Sequence, residues 1–382
     1  MKGHAEIAGG GIAGLALGTM LCQRGWSARV HERSAEIREI GAGLYLKDNS
    51  IRVMEEIGMF ASLAPRGIKL TEARLRDREN ALMLTRPYGT DATRVYVFPR
   101  QAIIEELRNA ALAAGVEIVT GSQVIGADQS GVLLLENGER LNADLVVGCD
   151  GFHSRVRESL ALRARSRVLP TLINRFLMPH RRFSAEPVTT EHYSGNRRIG
   201  VAPCDAATTY VYMVSPLPPP GADQLPVSVP DWLAHYPRLG ELLAELAATS
   251  GTSYRYSMVR CARWQKGRVA LVGDSVTAML PTLGQGAGLT VLNARALVEA
   301  LERSLSVDDA LPHWEQATRF VSDLTQDWAR RWDWLTRSCP PQFAWLKPIF
   351  VGALRTFPVI DRHIRTADRG FDVILPRLQG RR

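Results

Sequence analysis

The segment Gly9-Gly10-Gly11-Ile12-Ala13-Gly14 has the spacing G-x-G-x-x-G, and the chemistry this offers is the holding of a pyrophosphate. Gly9 permits a tight turn, Gly11 lets a phosphate reach the backbone, and Gly14 lets a helix pack closely on the strand before it. The phosphate then sits at the positive end of that helix. Glu32 follows at the distance where an acid accepts hydrogen bonds from a ribose. An acid there suits NAD and FAD alike, so the motif by itself leaves the dinucleotide open. The competing explanation is a tight structural turn that binds nothing.

A loop of this kind works only between a strand and a helix. Residues 5–8 read as a short strand, and residues 15–24 as a helix with Leu17, Met20 and Leu21 at helical spacing and Gly25 as its stop. Residues 28–31 read as the next strand, with Glu32 at its end, which closes a β-α-β unit. Further along, 101–114 has helical period before Gly115, 116–119 is a strand, and 132–136 and 140–141 flank the hairpin signal Asn137-Gly138. Residues 144–149 and 268–272 are continuous apolar runs, as in buried parallel strands. Between them, 189–193, 199–202 and 209–215 suggest antiparallel strands, and 216–220 a rigid loop. After Ala310 the chain turns helical and rich in Trp and Arg. The expected fold class is α/β, a Rossmann-like dinucleotide-binding domain (1–70, 98–165 and 265–310) with an interleaved antiparallel-sheet substrate domain (71–97 and 166–264) and a helical C-terminal region (311–382).

Composition narrows the function classes. With 382 residues, 46% hydrophobic and 23% charged, the chain reads as an ordinary globular protein with a sizeable core. The net charge of +8 is scattered, with only short clusters such as Arg163-Ala164-Arg165-Ser166-Arg167, which favours small anionic ligands over nucleic acid. The five cysteines, Cys22, Cys149, Cys204, Cys261 and Cys339, form no C-x-x-C pair, so neither a metal site nor a disulfide framework is expected, and a reducing cytoplasm fits. The uncharged run 7–22 imitates a signal peptide but is too short to span a bilayer, and cleavage would remove the glycine loop. The apolar stretch 343–354, broken by Lys347 and Pro348, is expected to be a packed helix or a subunit contact; no stable membrane insertion is expected.

Two further segments decide between the dinucleotides. One is "ADLVVGCDGFHSRVRESL", with Asp150, Gly151, Ser154 and Arg157. The other is "GRVALVGDSVTAMLPTLGQGAGLTVLNARAL", with Gly273, Asp274, Pro281, Gly284, Gln285, Gly286, Ala287 and Gly288. With the glycine loop, in this order, they make the chain resemble the flavoprotein aromatic hydroxylases of the para-hydroxybenzoate hydroxylase type, up to about Asp327. Within that family it is most similar to the hydroxypyridine carboxylic acid oxygenases. The resemblance implies a bound FAD. Ile12, Ala13, Glu32 and Arg33 would lie at its ADP half, and Gly43 and Leu44 of "GAGLYLKDNSIRVMEEIG" close to the flavin. Arg100 of "RQAIIEEL" would face the phosphates or ribityl chain. Asp274 at a strand end could accept from a ribityl hydroxyl, and free N–H groups of "GQGAG", opening a helix at Leu289, would favour negative charge on the reduced ring. Two departures stand out: Thr277 replaces the family's usual His, and Glu6 is an unusual residue for the first strand.

The resemblance also implies the reaction. NADH or NADPH, bound transiently without a second glycine loop, reduces the flavin; O2 adds at C4a to give a hydroperoxide, which transfers one oxygen to an electron-rich ring, with or without ring opening. The substrate side falls on Arg198, Tyr210 and Arg175, and an Arg there would pair with a carboxylate or phenolate of a small anionic aromatic. His192, Tyr193, Tyr254 and Tyr256 are expected to be structural. A monomer or homodimer is expected. The alternatives are a related FAD-dependent reductase or dehydrogenase without oxygen insertion, and a non-catalytic nucleotide-sensing or nucleic-acid-binding protein suggested by the basic charge.

Overall fold

The computed structural model describes residues 2–37, 41–89, 94–217, 225–338 and 366–379. Its centre is a six-stranded sheet in the order Gln265–Lys266, Val269–Leu271, Leu145–Gly148, His4–Ala8, Ser27–Glu32, Glu117–Thr120. All neighbours are parallel except the Gln265–Lys266 edge. The apolar runs expected at 144–149 and 268–272 are therefore inner strands, buried on both faces.

The first helix, Ile12–Gln23, starts three residues earlier than its apolar spacing suggests, because Gly14 is itself helical. It is buried on nearly every side, between the sheet and the helices Arg100–Ala113 and Gly286–Arg303. Gly14 is indispensable to that approach: a Cβ there would stand 2.0 Å from the carbonyl oxygen of Gly9. The hairpin at Asn137-Gly138 forms between Val132–Leu135 and Arg140–Asn142, with Gly138 at φ 90°.

The antiparallel region is a seven-stranded sheet in the order Gly251–Cys261, Ala164–Met178, Thr209–Pro216, Arg197–Pro203, Val188–Ser194, Glu72–Arg76, Leu82–Pro87. Three of these strands match the expected ones within two residues. The long strands Ala164–Met178 and Gly251–Cys261 were not legible, because Pro170 and the exposed Arg163, Arg165 and Arg167 mask the first; its pairing with the second shifts register between Val168 and Leu172. The back face, with Phe176, Ile199, Val201, Val211 and Met213, is covered by the helices Val229–His235 and Gly240–Ala248. The front face meets a small sheet of Gly43–Lys47, Val95–Pro99 and Ile68–Lys69.

After Ser306 the chain forms the helix Val307–Asp333, anchored where Trp314 Nε1–H donates to the Asn293 carbonyl at 2.8 Å. Among the described residues no helix is long and apolar enough to cross a membrane. The stretch 343–354 and most of the loop 216–220 lie outside the described residues.

His192 sits opposite Ile199, which belongs to the covered back face, and its Nε2 lies 3.1 Å from Asn80 Oδ1. It is 6% exposed. Burial, helped by the charge of Arg76, pushes its pKa down to about 4, so the folded ring stays neutral while the unfolded one takes up a proton below about 6.5. Stability should be full above that pH and fall by on the order of 3 kcal/mol as pH drops through this window. Urea unfolding of the chain and of a His192→Gln variant between pH 4 and 7.5 checks this; the variant should lack that component.

Candidate functional site

The glycine loop leaves the C-terminal end of the central strand, the position where open parallel sheets bind ligands. Gly9 has φ +104°, and a Cβ there would stand 2.4 Å from the Cys149 carbonyl oxygen, so this turn and the end of the Leu145–Gly148 strand touch backbone to backbone. A Cβ on Gly11 would meet nothing within 4 Å, which leaves room above the start of the helix for a phosphate. Ile12 and Ala13 are buried in the first helical turn. Glu32 holds the loop: its Oε2 accepts the Gly10 N–H at 3.0 Å and its Oε1 the Ser34 N–H at 2.9 Å. Arg33 beside it is exposed.

The two Gly-Asp segments are joined to each other by Arg157. This side chain, in a residue 6% exposed, donates to the Ser275 carbonyl at 2.6 Å and the Phe152 carbonyl at 2.9 Å, while Ser275 Oγ donates to the Gly148 carbonyl at 2.7 Å. Ser154 caps the short helix Arg155–Ser159 by accepting the Arg157 N–H. Burial raises the Asp150 carboxyl above its ordinary value; its Oδ2 accepts the Val156 N–H at 3.1 Å, and among the described residues its buried Oδ1 has no hydrogen-bond partner. That oxygen is open to a donor on a bound group.

Gly273 (φ +77°) packs against Ala13 and Thr290, so the third segment closes on the first. Asp274 opens a short helical turn and is exposed. Thr277, where the family has His, is buried and donates to the Gly273 carbonyl at 3.2 Å. Pro281–Leu283 form one 3-10 turn ending at Gly284 (φ +61°), and the helix begins at Gly286, three residues before the expected Leu289. The first-turn N–H groups of Gly286, Ala287 and Gly288 therefore lie at a helix N-terminus. The Gln285 amide turns inward, accepting from Asn49 at 2.9 Å and donating to Asp368; only its backbone is left for a cofactor. Gly288 packs on Asn49.

Gly43 and Leu44 open the strand Gly43–Lys47, and Arg100 follows its partner strand, donating its N–H to the Ala42 carbonyl at 3.1 Å. Tyr210 lies flat against Gly43, where a Cβ would stand 2.6 Å from the ring. The expected substrate residues thus come together on the front face: Arg175 is opposite Tyr212, Leu177 opposite Tyr210, and Ala202 opposite Tyr210 on the other side. Antiparallel register puts Arg175, Arg198 and Tyr210 on one side, with Tyr193, Tyr254 and Tyr256. His192 points the other way.

Sequence reasoning missed the group that governs this face, Glu191. It lies in register with Gly200, which lies in register with Tyr212. Because Gly200 has no side chain, the Tyr212 ring lies across it, where a Cβ would be 2.0 Å from Tyr212 Cζ, and its hydroxyl donates to Glu191. Tyr193 donates to the other oxygen at 2.5 Å, and Arg198 Nη1 is 3.6 Å from the oxygen that Tyr212 uses. Arg198, 3% exposed, also donates to the Tyr256 hydroxyl at 3.2 Å and lies over the rings of Tyr212 and Tyr193. Burial pushes the Tyr193, Tyr212 and Tyr256 phenols up, so all three stay neutral: Tyr193 and Tyr212 donate to Glu191, and Tyr256 accepts from Arg198. The cation expected to await a substrate oxygen is already matched by a carboxylate of the chain. Period-two alternation puts Glu191 and Tyr193 on one face of their strand, but it does not say which residues of the next strands they meet. Among the described residues Arg175 has no carboxylate partner and its buried Nε has no hydrogen-bond partner; its guanidinium lies 5.3 Å from the centre of the Tyr254 ring.

Comparison with known proteins shows the family. The family described as FAD binding domain matches residues 4–319. A putative 2-heptyl-3-hydroxy-4(1H)-quinolone synthase of Rhodococcus erythropolis is 35% identical over 339 residues, covering 87% of this chain and 88% of that one. The 2-heptyl-3-hydroxy-4(1H)-quinolone synthase of Mycobacteroides abscessus is 32% identical, covering 83% and 86%. The tetrameric form of 2-methyl-3-hydroxypyridine-5-carboxylic acid oxygenase superposes with a TM-score of 0.82 at 31% identity, covering 96% of each chain.

Removing one member of a buried ion pair strands the other, at about 3–5 kcal/mol. Glu191→Leu should therefore lower the unfolding free energy by that order, and Glu191→Leu with Arg198→Leu should recover most of it. Equilibrium urea denaturation of these two variants and of Arg198→Leu completes the cycle; a double-variant loss equal to the sum of the two single losses would mean the pair is not coupled.

Proposed function

The chain belongs to the FAD-binding-domain family as an FAD-dependent aromatic monooxygenase, and on that premise we propose that it oxygenates an uncharged, bicyclic N-heteroaromatic ring of the 4-quinolone kind, drawing electrons from NADH or NADPH. Family membership sets aside the reductase and nucleotide-sensing alternatives. The residues fit the cofactor: Gly11 leaves space for a phosphate, Glu32 stands beside the loop and accepts the Gly10 N–H, and Asp150 has a buried oxygen lacking a donor among the described residues. Residues 9–14, with Glu32 and Arg33, would hold the ADP half. Arg100, Asp150, Asp274 and the backbone from Pro281 to Gly288 would hold the remainder. FAD, when bound, supplies the hydride acceptor and the activation of O2.

The observation that carries the substrate reading is the matched charge of Arg198 and Glu191. With that cation already paired, a face of phenols and apolar side chains favours a neutral ring over a carboxylate. This departs from the anionic substrate expected from sequence and accords with the quinolone relatives. Arg175 and Tyr210 complement it. The Arg175 charge faces the Tyr210 phenol, and together they would hold and orient a ring oxygen of the substrate. The strand Gly43–Lys47 and the Tyr210 ring would shield the reacting atoms from water.

Oxygen uptake and NADH or NADPH oxidation with 4-hydroxyquinoline, para-hydroxybenzoate and 5-hydroxynicotinate, with labelled O2, test the proposal. The quinoline should stimulate turnover ~10-fold over either acid and gain one labelled oxygen with the ring intact. Stimulation by the carboxylates alone would overturn it in favour of an anionic substrate, and a ring-opened product would place the chain with the pyridine-cleaving oxygenases.

A further inference from the structure

Glu6 takes no part in the chemistry described above. It stands in the central strand His4–Ala8, where a sheet buried on both faces calls for apolar residues, and is 1% exposed. Its Oε2 lies 2.7 Å from Nε2 of His31, itself 3% exposed, on the adjacent strand. The other ring nitrogen, Nδ1, is 2.8 Å from Oγ of Ser122, just past the outer strand Glu117–Thr120. Glu6 Oε1 is 3.0 Å from His4 Nε2 and 3.3 Å from Arg29 Nη1, and Arg29 is shared with Glu117 at 2.8 Å. Burial alone would raise the Glu6 carboxyl, but hydrogen bonds with His31 and His4 outweigh it and hold the group below its ordinary value. A buried charged pair seldom stabilises a fold more than apolar residues of the same size would.

The surroundings show what it does instead. The His31 carbonyl accepts the Gly9 N–H at 2.8 Å, at the start of the phosphate turn. The next residue, Glu32, is the ribose acid, and its own carbonyl accepts the Ser122 N–H at 2.9 Å, while Gly121 N–H donates to the Ser34 carbonyl at 2.9 Å. The polar chain Glu6–His31–Ser122 therefore crosses three adjacent strands directly beneath the backbone that forms both the turn and the acid. A slip of the Ser27–Glu32 strand would displace the Gly9 acceptor and the Glu32 carboxylate together. The geometry points to Glu6, His31 and Ser122 as positioning residues for the ADP half of the cofactor: they set the height of Glu32 against the glycine loop and act on nucleotide affinity without touching the nucleotide. This holds whichever ring is oxidised.

The test titrates FAD, and separately ADP, into the FAD-stripped full chain by fluorescence, with the Tm of each apoprotein alongside. Glu6→Leu with His31→Leu should raise both dissociation constants ~10-fold while leaving the Tm at or above that of the parent. Glu6→Gln with His31→Gln, which keeps a hydrogen bond across the strands, should return affinity to within ~3-fold of the parent. Ser122→Ala, a small change at a half-buried site, should weaken ADP ~3-fold with unchanged Tm. Unaltered ADP affinity in a folded variant, or a loss that merely tracks a falling Tm, would overturn the assignment. If the leucine pair does not fold, Ser122→Ala decides alone.

Discussion

The cofactor end of the molecule depends on the central position of the His4–Ala8 strand, paired in parallel on both sides. Its end delivers the glycine loop, its neighbour Ser27–Glu32 delivers Glu32, and its other neighbour Leu145–Gly148 leads to Asp150. Three segments far apart in the chain converge because parallel strands all end on the same side. Their convergence is held by specific contacts: Gly9 against the Cys149 carbonyl, Arg157 between the Phe152 and Ser275 carbonyls, and Gly273 against Ala13. The first two are made to backbone carbonyls, and the third packs the Gly273 turn on the Ala13 side chain.

The second sheet solves a different problem, that of placing charge where water is scarce. Arg198 is almost wholly removed from solvent, which would be costly for a lone guanidinium. Glu191 offsets it from the next strand, and three phenols complete the hydrogen bonding. The result is a polar but electrically balanced surface, held rigid by its hydrogen bonds and facing the strand that opens at Gly43. Arg175 stands apart from this balance.

Much of this was legible in the residues. The glycine loop, Glu32 and the two apolar runs ending in Gly-Asp are local patterns, and local patterns specify strand, turn and helix with errors of a few residues. Helix starts were misplaced where glycines, poor helix formers, occupy the first turn at Gly14 and at Gly286–Gly288. What could not be read depended on register. The partnership of Glu191, Gly200 and Tyr212 spans three strands, and nothing in any one of them declares which residues will face each other. The inward turn of the Gln285 amide toward Asn49 and Asp368 is likewise a property of packing. Glu6 looked anomalous in isolation because its partners, His31 and Ser122, lie on other strands.

Gly200 carries a consequence for how this face can diversify. Its missing side chain is the space that the Tyr212 ring occupies. Any larger residue at 200 collides with that ring while Tyr212 remains, whereas a smaller residue at 212 would open space above Gly200 and release one oxygen of Glu191. The two positions can therefore change in only one order, position 212 first and position 200 second. Any route that reshapes this surface passes through an intermediate in which Glu191, beside Arg198, has lost one hydrogen-bond donor. The face is constrained by the order of change as well as by its shape.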